Sequence, residues 1–163
     1  MPEKKIDILR NMIADIGKKQ IEYYEFFPTF ADKLMTGLGQ YLGDEQSVAL
    51  TTNKEKFQFD IEYRHEGLGF EAGRYRIPIM IKFDNLNDSG FLLQRIWLYC
   101  SKNGSRISIS INDESSLEIQ EGDMEALYSK IYEFLRNSFS TSNWFEKNKQ
   151  DYQSTGIGFL ANE

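Results

Sequence analysis

The sequence predicts an α+β fold: an antiparallel sheet of about five strands in meander order, with an N-terminal helical hairpin and a C-terminal helix packed mainly on one face. Apolar residues recur at steps of three and four over residues 1–43, at steps of two over 46–112, and at three and four again over 122–152. Asn103-Gly104 marks a two-residue hairpin corner between two of the predicted strands. The 163 residues, 40% hydrophobic and with only 12 Gly and 3 Pro, suit a single globular domain and exclude collagen-like or low-complexity chains.

Pro2, Glu3 and Asp7 form a good helix start, and Ile6, Leu9, Ile13, Ile16, Gln20, Tyr23 and Phe27 follow as a narrow seam of coiled-coil type. Such a seam wants a helical partner, either a second helix folded back or the same helix in a second subunit, so a homodimer is one expectation. Pro28 is expected to end the first helix or open the second, which carries Phe30, Leu34, Leu38, Tyr41 and Leu42 on one face before Gly43 closes it.

Val48 and Leu50 suggest a first strand, Phe57 to Tyr63 a second and Tyr75 to Phe83 a third, with Pro78 arguing for an edge or a bulge. Asp84 to Gly90 reads as a loop. A turn centred on Asn103-Gly104 would set Cys100 opposite Ile107, Leu98 opposite Ile109 and Ile96 opposite Ile111, all on the core side. The other side then carries Arg95, Trp97 and Tyr99, with Phe91 and Leu93 further back. Aromatics of this kind are not expected on a purely solvated face.

Residues 122–152 read as helical. Met124, Leu127, Ile131, Phe134 and Leu135 give an amphipathic helix ending near Asn137, and Asp123 is placed to cap it. Asn143 and Glu146 suggest a short helix from Trp144 to Tyr152, and residues 153–163 form a tail, either an ordered return or a frayed end.

The net charge of −6 is lopsided: residues 1–43 and 44–112 each balance, whereas 113–163 hold four bases against ten acids. No Lys/Arg cluster is present, which argues against nucleic acid, and the acidic run favours a basic protein partner. No apolar run reaches membrane-spanning length and Met1 to Arg10 is charged, so a cytoplasmic location is expected. One Cys and one His cannot build a zinc cage of Cys and His ligands, and no metal or cofactor is expected. The Gly67, Gly69 and Gly73 loop lacks dinucleotide spacing, and Asn85 to Gly90 lacks the closing Glu of a calcium loop.

The function expected is non-catalytic protein binding, of the inhibitor, immunity or chaperone-like kind. The candidate contact residues are Trp97, Tyr99, Arg95 and Met80 on the outer sheet face and Glu118, Glu121 and Asp123 on an acidic C-terminal surface. The alternative is a small-ligand site or hydrolase at the His65 loop, built from Tyr63, His65, Glu66, Glu71 and Arg74. Cys100, facing the core, is expected to be inert.

Overall fold

The computed structural model describes residues 2–50, 68–86, 90–140 and 157–161, with backbone alone at 85–86, 90–91 and 157–161. The chain begins with a single 38-residue helix, α1 (Lys5–Leu42), which contains Pro28. The expected helical hairpin is therefore corrected to one continuous helix. An interior proline costs about 3 kcal/mol. That cost is offset because Tyr23, Phe27, Phe30, Ala31, Leu34 and Leu38 form one buried stripe that straddles Pro28. Burying each large member is favourable by about 1.5–3 kcal/mol, and a break at Pro28 would take half of the stripe off the sheet. The helix ends where expected: Gly43 is left-handed (φ 84°) and donates to the Gln40 carbonyl at 3.1 Å.

A 3-10 turn (Glu45–Ser47) leads into β1 (Val48–Leu50), followed by β2 (Gly69–Glu71), β3 (Arg74–Leu86), β4 (Gly90–Asn103), β5 (Arg106–Ile111) and β6 (Ser115–Gln120). Then come α2 (Met124–Ser138) and β7 (Ile157–Ala161). The sheet is antiparallel, ordered β1-β3-β4-β5-β6, with β2 also on β3 and β7 also on β4. The meander over β3 to β6 is the expected one. The strand expected at Phe57 to Tyr63 and the helix expected at Trp144 to Tyr152 lie outside the described residues. The loop expected at Asp84 to Gly90 is largely strand, since Leu86 already pairs with Gly90.

Three strands were not foreseen. β2 lies inside the expected glycine loop, pairing Gly69 with Arg76 and Glu71 with Arg74. β6 lies inside the acidic run, where only Leu117 and Ile119 point to the core, too short a period-two signal to stand out among the acids. β7 brings the tail back to the sheet edge, pairing Ile157 with Gln94 and Ala161 with Gly90. Pro78 pairs with Trp97, whose backbone N–H and carbonyl are both engaged by Asn112 on the β5 side. The nitrogen of Pro78 therefore points away from β4, into the gap between the β1 ladder, ending at Ile79, and the β2 ladder, ending at Arg76. No ladder bond is lost among the described residues.

The β4–β5 register differs from expectation by two residues. Asn103 pairs with Arg106, Cys100 with Ile109 and Leu98 with Ile111, so Gly104-Ser105 forms the corner. Gly104 is left-handed (φ 61°) and Ser105 is not, as in a type II′ turn. This register sets Asn112 opposite Trp97, where its side-chain oxygen accepts from the Trp97 N–H at 2.7 Å and its own N–H donates to the Trp97 carbonyl at 2.8 Å. A slip of two keeps parity, so the faces are those expected. Ile96, Leu98, Cys100, Ile107, Ile109 and Ile111 are all at most 1% exposed.

Both helices cover this aliphatic face. α2 buries Leu127, Ile131, Phe134 and Leu135 as its spacing predicts, but Asp123, at its N-cap position, makes no side-chain capping bond. α1 is pinned by Tyr23, fully buried, whose hydroxyl accepts from the Lys102 N–H at 2.7 Å and donates to the Lys102 carbonyl at 3.2 Å. Lys102 stands opposite Ile107 in a pair without ladder bonds, beyond the end of β3, so among the described residues these two backbone groups have no strand partner. N-terminal to Tyr23 the helix runs past the sheet, and Ile6, Leu9, Ile13 and Ile16 of the expected seam are 50–68% exposed.

Two substitutions test the backbone account. A Cβ at Gly39 would lie 2.8 Å from the Glu45 Cα, so Gly39→Ala should cost about 1–3 kcal/mol and several degrees of Tm. Ala72 (φ 51°) and Gly73 (φ 75°) form the β2–β3 corner, where Asn-Gly is preferred. Ala72→Asn should therefore raise the melting temperature, and thermal denaturation of the two variants reads both signs.

Candidate functional site

The sheet face away from the helices is organised in cross-strand rows. Arg76, Tyr99, Ser110 and Ser116 are paired neighbours across β3, β4, β5 and β6, and Ser101, Ser108 and Glu118 form the adjoining row. Pro78 and Trp97 lie on the other side of Tyr99, followed by Met80 and Arg95. The alternation of β4 is what brings Arg95, Trp97 and Tyr99 to one face.

Guanidinium groups lie over both rings. Arg74 sits 4.4 Å from the Tyr99 ring centre, and Arg76 and Arg95 sit 5.6 and 5.8 Å from that of Trp97. Such contacts are worth about 0.5–1 kcal/mol when exposed and more when desolvated. Acids hold Arg74 and Arg76: Arg74 donates to Asp113 at 2.8 Å and Arg76 to Glu71 at 3.1 Å. Asp113 also accepts from the Ser110 hydroxyl at 3.3 Å. The β5–β6 turn aims it there with Asn112 and Asp113 both left-handed (φ 52° and 55°), a conformation these two residue types tolerate.

The electrostatics follow from this pairing. The hydrogen bond from Arg74, and then its charge, hold the Asp113 carboxyl below the usual range despite some desolvation. Arg74 is raised in turn, chiefly by its bond to Asp113. Tyr99 is raised by partial burial first and by the charges of Glu71 and Asp113 second. On the opposite face, burial pushes the Cys100 thiol well above its ordinary value, and its side chain is 0% exposed.

Of the expected contact residues, Trp97, Tyr99 and Arg95 are half-buried and share one surface, whereas Met80, on the same face, is 2% exposed and so is corrected from contact residue to buried residue. The acidic residues meet bases from neighbouring strands: Glu118 lies 3.3 Å from Arg106 and Glu121 3.7 Å from Lys102, while Asp123 is exposed. Of the alternative set, Tyr63, His65 and Glu66 lie outside the described residues. Glu71 and Arg74 are described but engage Arg76 and Asp113 rather than each other. A feature the sequence reading missed is a groove of about 410 Å³ floored by Ser101, Ser108, Ser110 and Ser116, with Arg74 over Tyr99 at one end and Glu118 at the other. The period-two spacing of the serines on β4 and β5 was visible, but their meeting with Ser116 depends on β6.

Among the described residues, no group of three or more His, Cys, Asp or Glu is placed to hold a metal ion, and no helix is long and apolar enough to cross a membrane. The chain matches no protein-family model, no curated protein and no solved structure.

The Arg74–Asp113 pair gives a signed pH prediction. The Asp113 pKa is depressed on folding, so its contribution is present above the unfolded carboxyl value and is lost as pH falls through the folded one. Asp113→Asn keeps the left-handed tolerance and removes the charge. At neutral pH it should lower stability by at most about 1 kcal/mol, because the pair is solvent-screened. The difference from wild type should close as pH falls below the ordinary carboxyl range, as read from urea midpoints.

Proposed function

We propose that this protein is a non-catalytic protein-binding module that docks a partner on the outer face of its sheet. The observation that carries this reading is the pair Trp97 and Tyr99, side by side on β4, half-exposed and each overlaid by guanidinium groups at 4.4–5.8 Å. Trp, Tyr and Arg are the residue types that most often anchor protein interfaces. Here they stand on a strand and are held by neighbours, so little rotamer freedom is left to lose on binding. The exposed acids Glu114, Glu118, Glu121, Asp123 and Glu125 favour a partner with basic groups at the rim.

The serine groove supports a second reading, a small-ligand site, since 410 Å³ falls within the usual size range. It is the weaker one, because the two charged groups at its ends, Arg74 and Glu118, are already engaged by Asp113 and Arg106.

The test is a comparison of wild type with Trp97→Ala/Tyr99→Ala as baits in an extract of the source cell, together with mass spectrometry of small molecules that copurify. The expected result is a protein that binds wild type directly once purified and binds the double variant at least about 30-fold more weakly, the size of a hot-spot loss. A stoichiometric small molecule, with no protein whose retention depends on Trp97 and Tyr99, would contradict the proposal.

A further inference from the structure

We infer that the first half of α1, residues 5–22, pairs antiparallel with the same segment of a second copy of this chain. Ile6, Leu9, Met12, Ile13 and Ile16 are 50, 53, 57, 68 and 59% exposed, with Ile21 on the flank at 60%. They lie on a helix that overhangs the sheet by about 27 Å, at 1.5 Å per residue. Isolated apolar side chains on a surface need no explanation, but a run in heptad phase does.

The phase identifies what the run faces. Ile6, Leu9, Ile13 and Ile16 continue, at steps of three and four, into Tyr23, Phe27, Phe30 and Leu34, which are buried against the sheet. The overhang thus presents its apolar side toward the space just past the sheet end, and an occupant of that space must be elongated, apolar on one side and about as long as the overhang. The same segment of a second copy meets all three conditions.

Orientation follows from the same geometry. In a parallel pair each sheet would lie under the seam on the inner side, so the two sheets would compete for one volume, and Lys5 would face Arg10 of the second copy, like against like. In an antiparallel pair the two sheets lie at opposite ends. With the arms fully overlapped, Ile13 meets Ile16 across a two-fold axis, Leu9 lies level with Gln20, Arg10 falls beside Gly17 and Lys19 beside Met12. Asp7 and Arg10 pair within one arm at 3.1 Å. With four apolar seam side chains on each arm at least half exposed, and Met12 beside them at 57%, the contact hides on the order of 1,000 Å², about the threshold for a specific interface.

Sedimentation equilibrium on the full chain, over a dilution series reaching about 100 μM, tests the pairing. Wild type should be a dimer. Ile13→Asp and Ile16→Asp should each weaken it at least about 30-fold while leaving the melting temperature of the sheet near that of wild type, because both positions are exposed. Leu9→Cys mixed with Gln20→Cys should crosslink on oxidation, and Leu9→Cys alone should not, since its two copies stand too far apart for a disulfide. Cys100, at 0% exposure, does not interfere. A wild-type monomer throughout the series, a dimer that survives Ile13→Asp, or a Leu9→Cys variant that crosslinks to itself as readily as the mixture would overturn the inference. None of these results bears on Trp97, so this inference and the proposed outer-face docking stand or fall separately.

Discussion

The bond between the Tyr23 hydroxyl and the backbone of Lys102 fixes where α1 meets the sheet. β4 outruns β3 at this end, which leaves the N–H and carbonyl of Lys102 with no strand to pair with among the described residues. A buried backbone group without a partner costs about 1–3 kcal/mol, and one phenol satisfies both. The Tyr23 ring stacks on Phe70 at 5.3 Å and meets Phe27 edge-on at 5.2 Å, so the polar anchor is continuous with the aromatic packing of α1 on the sheet. C-terminal to this anchor the helix seam is core. N-terminal to it the same seam is surface.

A similar division runs through the sheet. Its inner face is mostly aliphatic, with Tyr75 and Cys100 among the isoleucines and leucines, and is set by parity. Its outer face is specified by polar groups with defined partners: Asp113 holds Arg74 over Tyr99, Glu71 holds Arg76 near Trp97, and Asn112 ties its turn to the Trp97 backbone. Guanidinium groups tethered over the two half-buried rings limit the rotamers open to them. That fixed arrangement of Trp, Tyr and Arg is what makes the outer face a candidate for recognition.

How much of this was legible depended on the range of the controlling interaction. The sidedness of β3, β4 and β5 was readable because alternation is local, and it survived the displacement of the corner from Asn103-Gly104 to Gly104-Ser105 because only parity matters. The apolar arm seam was readable for the same reason. The continuity of α1 through Pro28 was not, because the local rule for proline is overruled by burial of Phe27, Phe30 and Ala31 against strands far along the chain. Nor was the pairing of the acidic run, whose bases Arg74, Lys102 and Arg106 reach it across the sheet. The Tyr23 anchor links residues 79 positions apart and leaves no trace in spacing.

Hydrogen exchange at the Lys102 backbone amide, followed in wild type and in Tyr23→Phe, tests the central claim most directly. The account predicts slow exchange of that amide in wild type and acceleration of about tenfold or more when its acceptor is removed, with the Leu98 and Ile109 amides still protected. An amide that exchanges at the rate of the exposed Gly104 amide in wild type, or that is indifferent to the loss of the hydroxyl, would contradict it.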